Sequence, residues 1–220
     1  MRNLKKLLAL VLAMVMAFSL MLTANAAVKY DDYQDKDSIT AEFDEGVRVL
    51  TGLEVMQGDE KGFRPSDKIT RAEAAAVIYR AVTGDVTDRQ TALYKDYGTF
   101  TDVKSDDWFA GYVGYCQNAG YIKGTSPTTF QPYGQVTGYE VLAMILRAVG
   151  YGKNNEFTGG SWQVNVAALA KQLGVTRNVV AAHMDQTLNM AAPREVVADL
   201  IFMTIATVPT VTYTPALAYN

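Results

Sequence analysis

Ile69-Thr70-Arg71-Ala72-Glu73, running into the apolar stretch Ala74-Ala75-Ala76-Val77-Ile78-Tyr79, is where the fold is decided. A threonine followed three residues later by glutamate, just ahead of an apolar run, is the sequence form of a capping box. The hydroxyl accepts the backbone N–H of Glu73, and the glutamate reaches back to the N–H of Thr70. Thr70 and Glu73 therefore have a structural task, and Arg71 has none. At the first helical position its side chain is expected to point outward, beside unpaired N–H groups and the positive end of the helix dipole. Helix stability alone would favour an acid there. Two readings follow: a solvated surface arginine, or a small receptor for a carboxylate or phosphate.

Near-copies of this stretch lay out the chain. Tyr33-Gln34-Asp35 and Phe100-Thr101-Asp102, Gly58 and Gly124, Phe63-Arg64-Pro65 and Phe130-Gln131-Pro132, and Arg80-Ala81-Val82 and Arg147-Ala148-Val149 are all offset by 66 or 67 residues. Val136-Thr137-Gly138-Tyr139-Glu140 answers Ile69-Thr70-Arg71-Ala72-Glu73. A weaker third copy has Trp162, Gly174 and Val175 in the places of Trp108, Gly120 and Tyr121, and closes on Pro193-Arg194-Glu195. A period of this size is the mark of a repeat architecture. The expected units are 27–88, 89–152 and 153–208, with an extended, proline-interrupted tail over 209–220.

Each unit reads as helix, glycine-containing loop, helix. Phe43, Val47 and Leu50 recur at helical spacing, and 58–65 is rich in turn formers. Gly84 is placed to cap a second helix that starts at Arg71, and Gly150 to end its counterpart. In the second unit Trp108, Tyr112, Tyr115, Cys116 and Ala119 form the expected buried stripe. Helices of this length are marginal alone in water and must bury one another. The fold class is mainly α: three helix-loop-helix repeats packed as a helical bundle.

The chain opens with a basic segment, an apolar run from Leu7 to Leu22 and the small-x-small pattern Ala24-Asn25-Ala26. That is the form of a secretory leader over 1–26, with a secreted mature chain that keeps no membrane anchor. Losing Arg2, Lys5 and Lys6 takes the formal charge from −3 to −6, which disfavours nucleic acid and anionic membranes as partners. An anionic ligand has to be caught by local arginines. The single cysteine, Cys116, cannot form an internal disulfide and is read as a small core hydrophobe.

Phe100-Thr101-Asp102-Val103 with Trp108, Gly120-Tyr121-Ile122-Lys123-Gly124, Phe130 with Pro132, and above all Ile69-Thr70-Arg71-Ala72-Glu73 resemble a set of three S-layer homology domains. The resemblance implies a pseudo-threefold helical module at the cell wall or S-layer surface. It also implies binding of an acidic, pyruvylated secondary cell-wall polysaccharide in grooves between adjacent units, without cofactor, metal or catalysis. Carried onto this sequence, the glycan-binding residues are Arg71, Thr70, Glu73, Trp108, Tyr121, Gly124 and Arg194. A ketal-linked pyruvate offers a carboxylate for a guanidinium, and Trp108, Tyr112, Tyr121 and Trp162 offer faces for sugars. For both tryptophans core filling is the competing role.

The pattern also has gaps. Gly138 stands where an arginine is expected, Pro193 replaces the capping threonine of the third unit, and Asn178, tolerant of left-handed backbone, replaces the loop glycine. The expectation is one good carboxylate site at Arg71, a weaker one at Arg194 and none at Gly138. Arg71→Ala should then weaken wall binding and spare stability. An assembly protein that contacts other surface proteins through apolar faces is the alternative, favoured by the loss at Gly138 and by the absence of a following cargo domain. A hydrolase is disfavoured, since Glu73 and Glu140 are taken as caps and His183 is the sole histidine. The acids Asp31, Asp32, Asp35 and Asp37 lack the glycine and closing glutamate of a calcium loop.

Overall fold

The computed structural model describes residues 28–211, so the expected leader and most of the expected tail lie outside the described residues. Seven α-helices make up the regular structure there: α1 Asp44–Gly52, α2 Arg71–Thr83, α3 Ala110–Asn118, α4 Gly138–Ala148, α5 Trp162–Gln172, α6 Arg177–Ala181 and α7 Arg194–Thr207. Among the described residues there is no sheet, only isolated bridges.

Both expected capping boxes form. Glu73 N donates to Thr70 Oγ1 at 3.2 Å while Thr70 N donates to Glu73 Oε2 at 2.7 Å. The Thr137–Glu140 box repeats this at 3.2 and 2.8 Å. α7 starts at Pro193 with no side-chain cap, as the missing hydroxyl requires. Gly84 ends α2 in the left-handed conformation, φ 70°, which costs glycine nothing.

The first and second helices of a segment do not pair mainly with each other. α1 packs on α7, α2 on α3, and α4 on α5, while α4 also touches α2 and α7. Each early helix thus lies against the long helix of a neighbouring segment. The segments between them close in the same sense: Thr70 bridges Gln135, Thr137 bridges Ala191, and Pro193 bridges Lys68. The core between these elements is aromatic and aliphatic, with Phe43, Phe63, Phe109, Phe130, Ile78, Leu142 and Ile145 all fully buried. Burial of such side chains is what stabilises helices too short to stand alone.

Two expectations are corrected here. The stripe buried by α3 is Phe109, Tyr112, Val113 and Cys116, whereas Trp108 is 56% exposed and Ala119 lies at the surface. Helical periodicity holds, but the face is turned by one residue. Asn178 is not a left-handed loop residue: it lies inside α6, and its Nδ2 donates to Asp199 Oδ1 at 2.7 Å.

The glycine-containing loops are held by aspartates. Asp35 accepts the amides of Phe63 and Arg64 at 2.9 and 2.7 Å, and Asp102 those of Phe130 and Gln131 at 2.8 and 2.7 Å. Arg64 and Gln131 have φ of 58° and 57°, a conformation that side chains disfavour and that these paired bonds secure. Asp35 is therefore accounted for without a metal. Asp102→Asn, which turns an amide N–H toward one of the two donors, is expected to cost about 1.5–3 kcal/mol in urea unfolding.

Candidate ligand-binding grooves

Arg71 is not at the surface. The residue is 4% exposed, and its guanidinium is spent on the segment one repeat later. Nε donates to Phe130 O at 2.7 Å, Nη2 to Lys123 O at 2.8 Å, and Nη1 to Glu140 Oε1 at 2.6 Å. The cation also sits 4.7 Å from the centre of the Phe130 ring. Burial pushes the guanidinium below its ordinary value, with Glu140 and then Asp102 opposing that. Glu140 serves twice, capping α4 with Oε2 and neutralising Arg71 with Oε1.

The amides at the start of α2 are occupied as well. Arg71 N donates to Gly134 O at 2.8 Å, Ala72 N to Pro132 O at 3.0 Å, and Glu73 N to the Thr70 hydroxyl. The expected outward arginine beside unpaired amides is thus replaced by a sealed junction. The loop 123–134, which lies more than fifty residues away in sequence, fills the receptor that an isolated helix start would offer.

Gly124 has a packing explanation. A Cβ there would press on the carbonyls of Ser126 and Thr129 and come within 2.6 Å of the Phe100 ring. Gly58 is equally crowded, by Gly62 O and the Tyr33 ring. Both glycines let a loop turn back on itself, and in the Gly124 loop this directs the Lys123 carbonyl at Arg71. Thr70 and Glu73 are likewise occupied by their mutual capping bonds.

At the junction with Gly138 the arginine is missing and the space is filled. A Cβ on Gly138 would lie 2.6 Å from Leu188 Cδ2 and 3.1 Å from Leu188 O, and Tyr139 N donates to that same carbonyl at 3.0 Å. Leu188 itself is buried.

Arg194 starts α7 as Arg71 starts α2, and most of its bonds are equivalent. Nε donates to Phe63 O at 2.8 Å, Nη2 to Gln57 O at 2.7 Å, and the cation lies 5.0 Å from the centre of the Phe63 ring. Arg194 N and Glu195 N donate to Asp67 O and Pro65 O at 2.8 and 3.1 Å. What is missing is the carboxylate. Glu73, the counterpart of Glu140, does not come within salt-bridge distance, and among the described residues Nη1 meets no acceptor. Burial and then the nearby Arg64 guanidinium push Arg194 down, against the pull of Glu73, Tyr33 and Asp67. Arg64 has a buried Nε without a partner and only loose contacts to Asp59 and Asp67, at 3.4 and 3.7 Å. Two guanidiniums thus share one junction that holds no close carboxylate for Arg194. Arg71 thus has a carboxylate partner, which Arg194 lacks among the described residues.

The aromatic residues divide by exposure. Trp108 packs edge-on against Phe109 at 5.4 Å, and Tyr133, 71% exposed, packs edge-on against the same ring at 5.5 Å. Two open rings therefore flank one buried phenyl. Tyr133 went unrecognised in the sequence, although an aromatic within the turn Gln131-Pro132-Tyr133-Gly134 is a usable sign of an exposed ring. Tyr121 is half-buried, 6.2 Å from Tyr115 in a ladder that continues to Tyr79 and Tyr94. Tyr112 is buried and takes a bond from Arg80 Nη2 at 3.1 Å, and Trp162 is half-buried. The open rings stand next to the neutralised Arg71 loop, whereas Arg194 has Ser66 and Glu42 in the places of Tyr133 and Trp108.

The S-layer homology domain profile matches residues 32–75 and 99–141, so the chain carries two S-layer homology segments. The matched residues include both capping boxes and exclude Arg194. The chain is 34% identical over 155 residues to the middle cell wall protein of Brevibacillus brevis, covering 70% of this chain and 14% of that protein. It is 32% identical over 183 residues to the surface layer protein of Brevibacillus choshinensis, covering 83% of this chain and 16% of the relative. An amylopullulanase of Thermoanaerobacterium thermosulfurigenes is 28% identical over 142 residues, with 59% of this chain and 7% of the enzyme covered. The chain thus spans about one-seventh of the length of the two surface proteins. These matches support a cell-surface anchoring role. No helix among the described residues is long and apolar enough to cross a membrane.

Proposed function

We propose that this chain is a non-catalytic anchoring module that binds an acidic, pyruvylated cell-wall polysaccharide, with Arg194 as the cation that receives the ligand's carboxylate. The observation that carries this reading is the unmatched guanidinium: Arg194 is 8% exposed and, among the described residues, meets no carboxylate partner and no acceptor at Nη1. A desolvated cation gains more from an incoming anion than a hydrated one, and a charge-assisted bond to a guanidinium contributes about 1.5–3 kcal/mol. Arg64 adds a second positive charge to the same junction. Trp108 and Tyr133 supply sugar-stacking faces elsewhere on the molecule.

In this reading the segment 153–208 is a third repeat and the three units form a pseudo-threefold bundle. Its support is the ring of bridges Thr70–Gln135, Thr137–Ala191 and Pro193–Lys68, in which each segment contributes the same two positions. The module is secreted and held at the wall. Its junctions are not equivalent, so one strong anionic contact per chain is expected, with little avidity.

The test is titration with wall fragments before and after removal of the pyruvyl group. Arg194→Gln should weaken binding to the pyruvylated fragment about 10- to 100-fold and leave binding to the stripped fragment unchanged. Circular dichroism has to show the variant folded at the assay temperature, since two backbone bonds are lost with the guanidinium. Wild-type affinity in Arg194→Gln would remove the cation assignment. A second reading, assembly through protein contacts, is favoured by the two open aromatic rings and the neutralised Arg71. Retention on other surface proteins in the absence of polysaccharide would support it.

A further inference from the structure

Asp199 lies in the middle of α7 and faces inward. It is fully buried, its Oδ2 meets no donor, and Oδ1 has a single bond, from Asn178 Nδ2 on α6 at 2.7 Å. Across from it stands Gly46 of α1, so close that a Cβ there would be 3.0 Å from Asp199 Cα. α1 therefore has no side chain at that point to donate a bond. The charged groups that act on the carboxyl are Arg177 on α6, which favours ionisation, and Glu45 on α1, which opposes it. Glu195, one turn earlier on α7, is held by the amide and hydroxyl of Thr40.

A buried carboxylate with one hydrogen bond and no matched cation is costly, and the cost disappears when a proton is bound. The helix that supplies the one bond is also the shortest α-helix among the described residues. α6 has five residues, too few to persist alone, and is held by burial of Val179 and by the Asn178 contact.

We propose that Asp199 is a proton-operated latch: protonated, it lets α6 close on the α1–α7 seam, and ionised, it favours release of α6 and entry of water. The latch does not depend on which ligand the grooves bind.

Burial raises the carboxyl from 3.8 to about 7 in the closed form, while the opened form returns toward 3.8. Below the lower value closure does not depend on pH. Between the two, each pH unit favours opening by about tenfold, and above the upper value the effect levels off.

Hydrogen exchange tests this through protection factors, which already divide out the pH dependence of intrinsic exchange. In the wild-type chain, α6 amides should lose protection by about tenfold per unit from pH 5 to 7 and then level. In Asp199→Asn, which keeps the shape and cannot ionise, protection should stay flat through pH 8. Equal pH dependence in the two proteins overturns the latch, and His183 is present in both. Should the variant fail to fold, the carboxyl carbon resonance of Asp199 in the wild-type chain decides. A midpoint near pH 7 supports the proposal and a midpoint near pH 4 overturns it.

Discussion

Arg71→Ala is expected to lower the free energy of unfolding by about 3 kcal/mol, the lower end of the range for breaking a buried ion pair, since Glu140 is partly exposed. The loss has three parts. Glu140 keeps its capping bonds but is left with a carboxylate oxygen facing a cavity, the carbonyls of Phe130 and Lys123 lose their donors, and the Phe130 ring loses the cation above it. A sequence-only view predicts the opposite, an exposed arginine whose removal spares stability. Urea unfolding separates the two directly. Arg71→Lys refines the test: an ammonium retains the charge but cannot reach three acceptors in the plane of a guanidinium, so most of the loss should remain. Thr70→Ala, at about 1 kcal/mol for a lost N-cap, should be clearly milder. If Arg71→Ala unfolds like the wild type, the junction is not what holds the first two segments together.

Local features were legible in the sequence, and long-range ones were not. Thr70–Glu73 and Thr137–Glu140 are capping boxes because the geometry that makes them is complete within four residues. Phe43, Val47 and Leu50 are buried for the same reason, and Gly84 caps its helix. The periodicity of α3 was visible, but the orientation of its face was not, since Trp108 and Phe109 are adjacent and equally apolar. In the structure Phe109 joins the core and carries the Tyr133 ring against it, while Trp108 stays open.

The burial of Arg71 was not legible for a related reason. Four unpaired amides and a free arginine at a helix start describe an isolated helix, whereas here the partners arrive from a loop of the next segment. Repetition alone does not reveal how the two junctions differ, since each aligns an Arg with a Glu. An Arg at one junction needs a Glu from the following unit, and Glu140 follows Arg71 while Glu73, aligned with Arg194, stays out of reach of it.

The Gly138 junction gives the second large expectation. Leu188→Ala alone should cost about 2–5 kcal/mol for a buried leucine, and Gly138→Arg alone about 1–3 kcal/mol for forcing atoms into occupied space. The two are not independent, because the first Cβ added at Gly138 lies 2.6 Å from Leu188 Cδ2. The double variant should therefore lose less than the sum, with a coupling of about 0.5–3 kcal/mol in a double-mutant cycle. Additive losses would mean that Leu188 is not the obstacle. Restored packing still would not create a receptor. Arg71 and Arg194 are each oriented by two loop carbonyls, from Phe130 and Lys123 or from Phe63 and Gln57, and the corresponding stretch of the last segment is wound into α6. An arginine at 138 would find a helix where the others find a loop, so the double variant should regain stability without gaining affinity for acidic wall fragments.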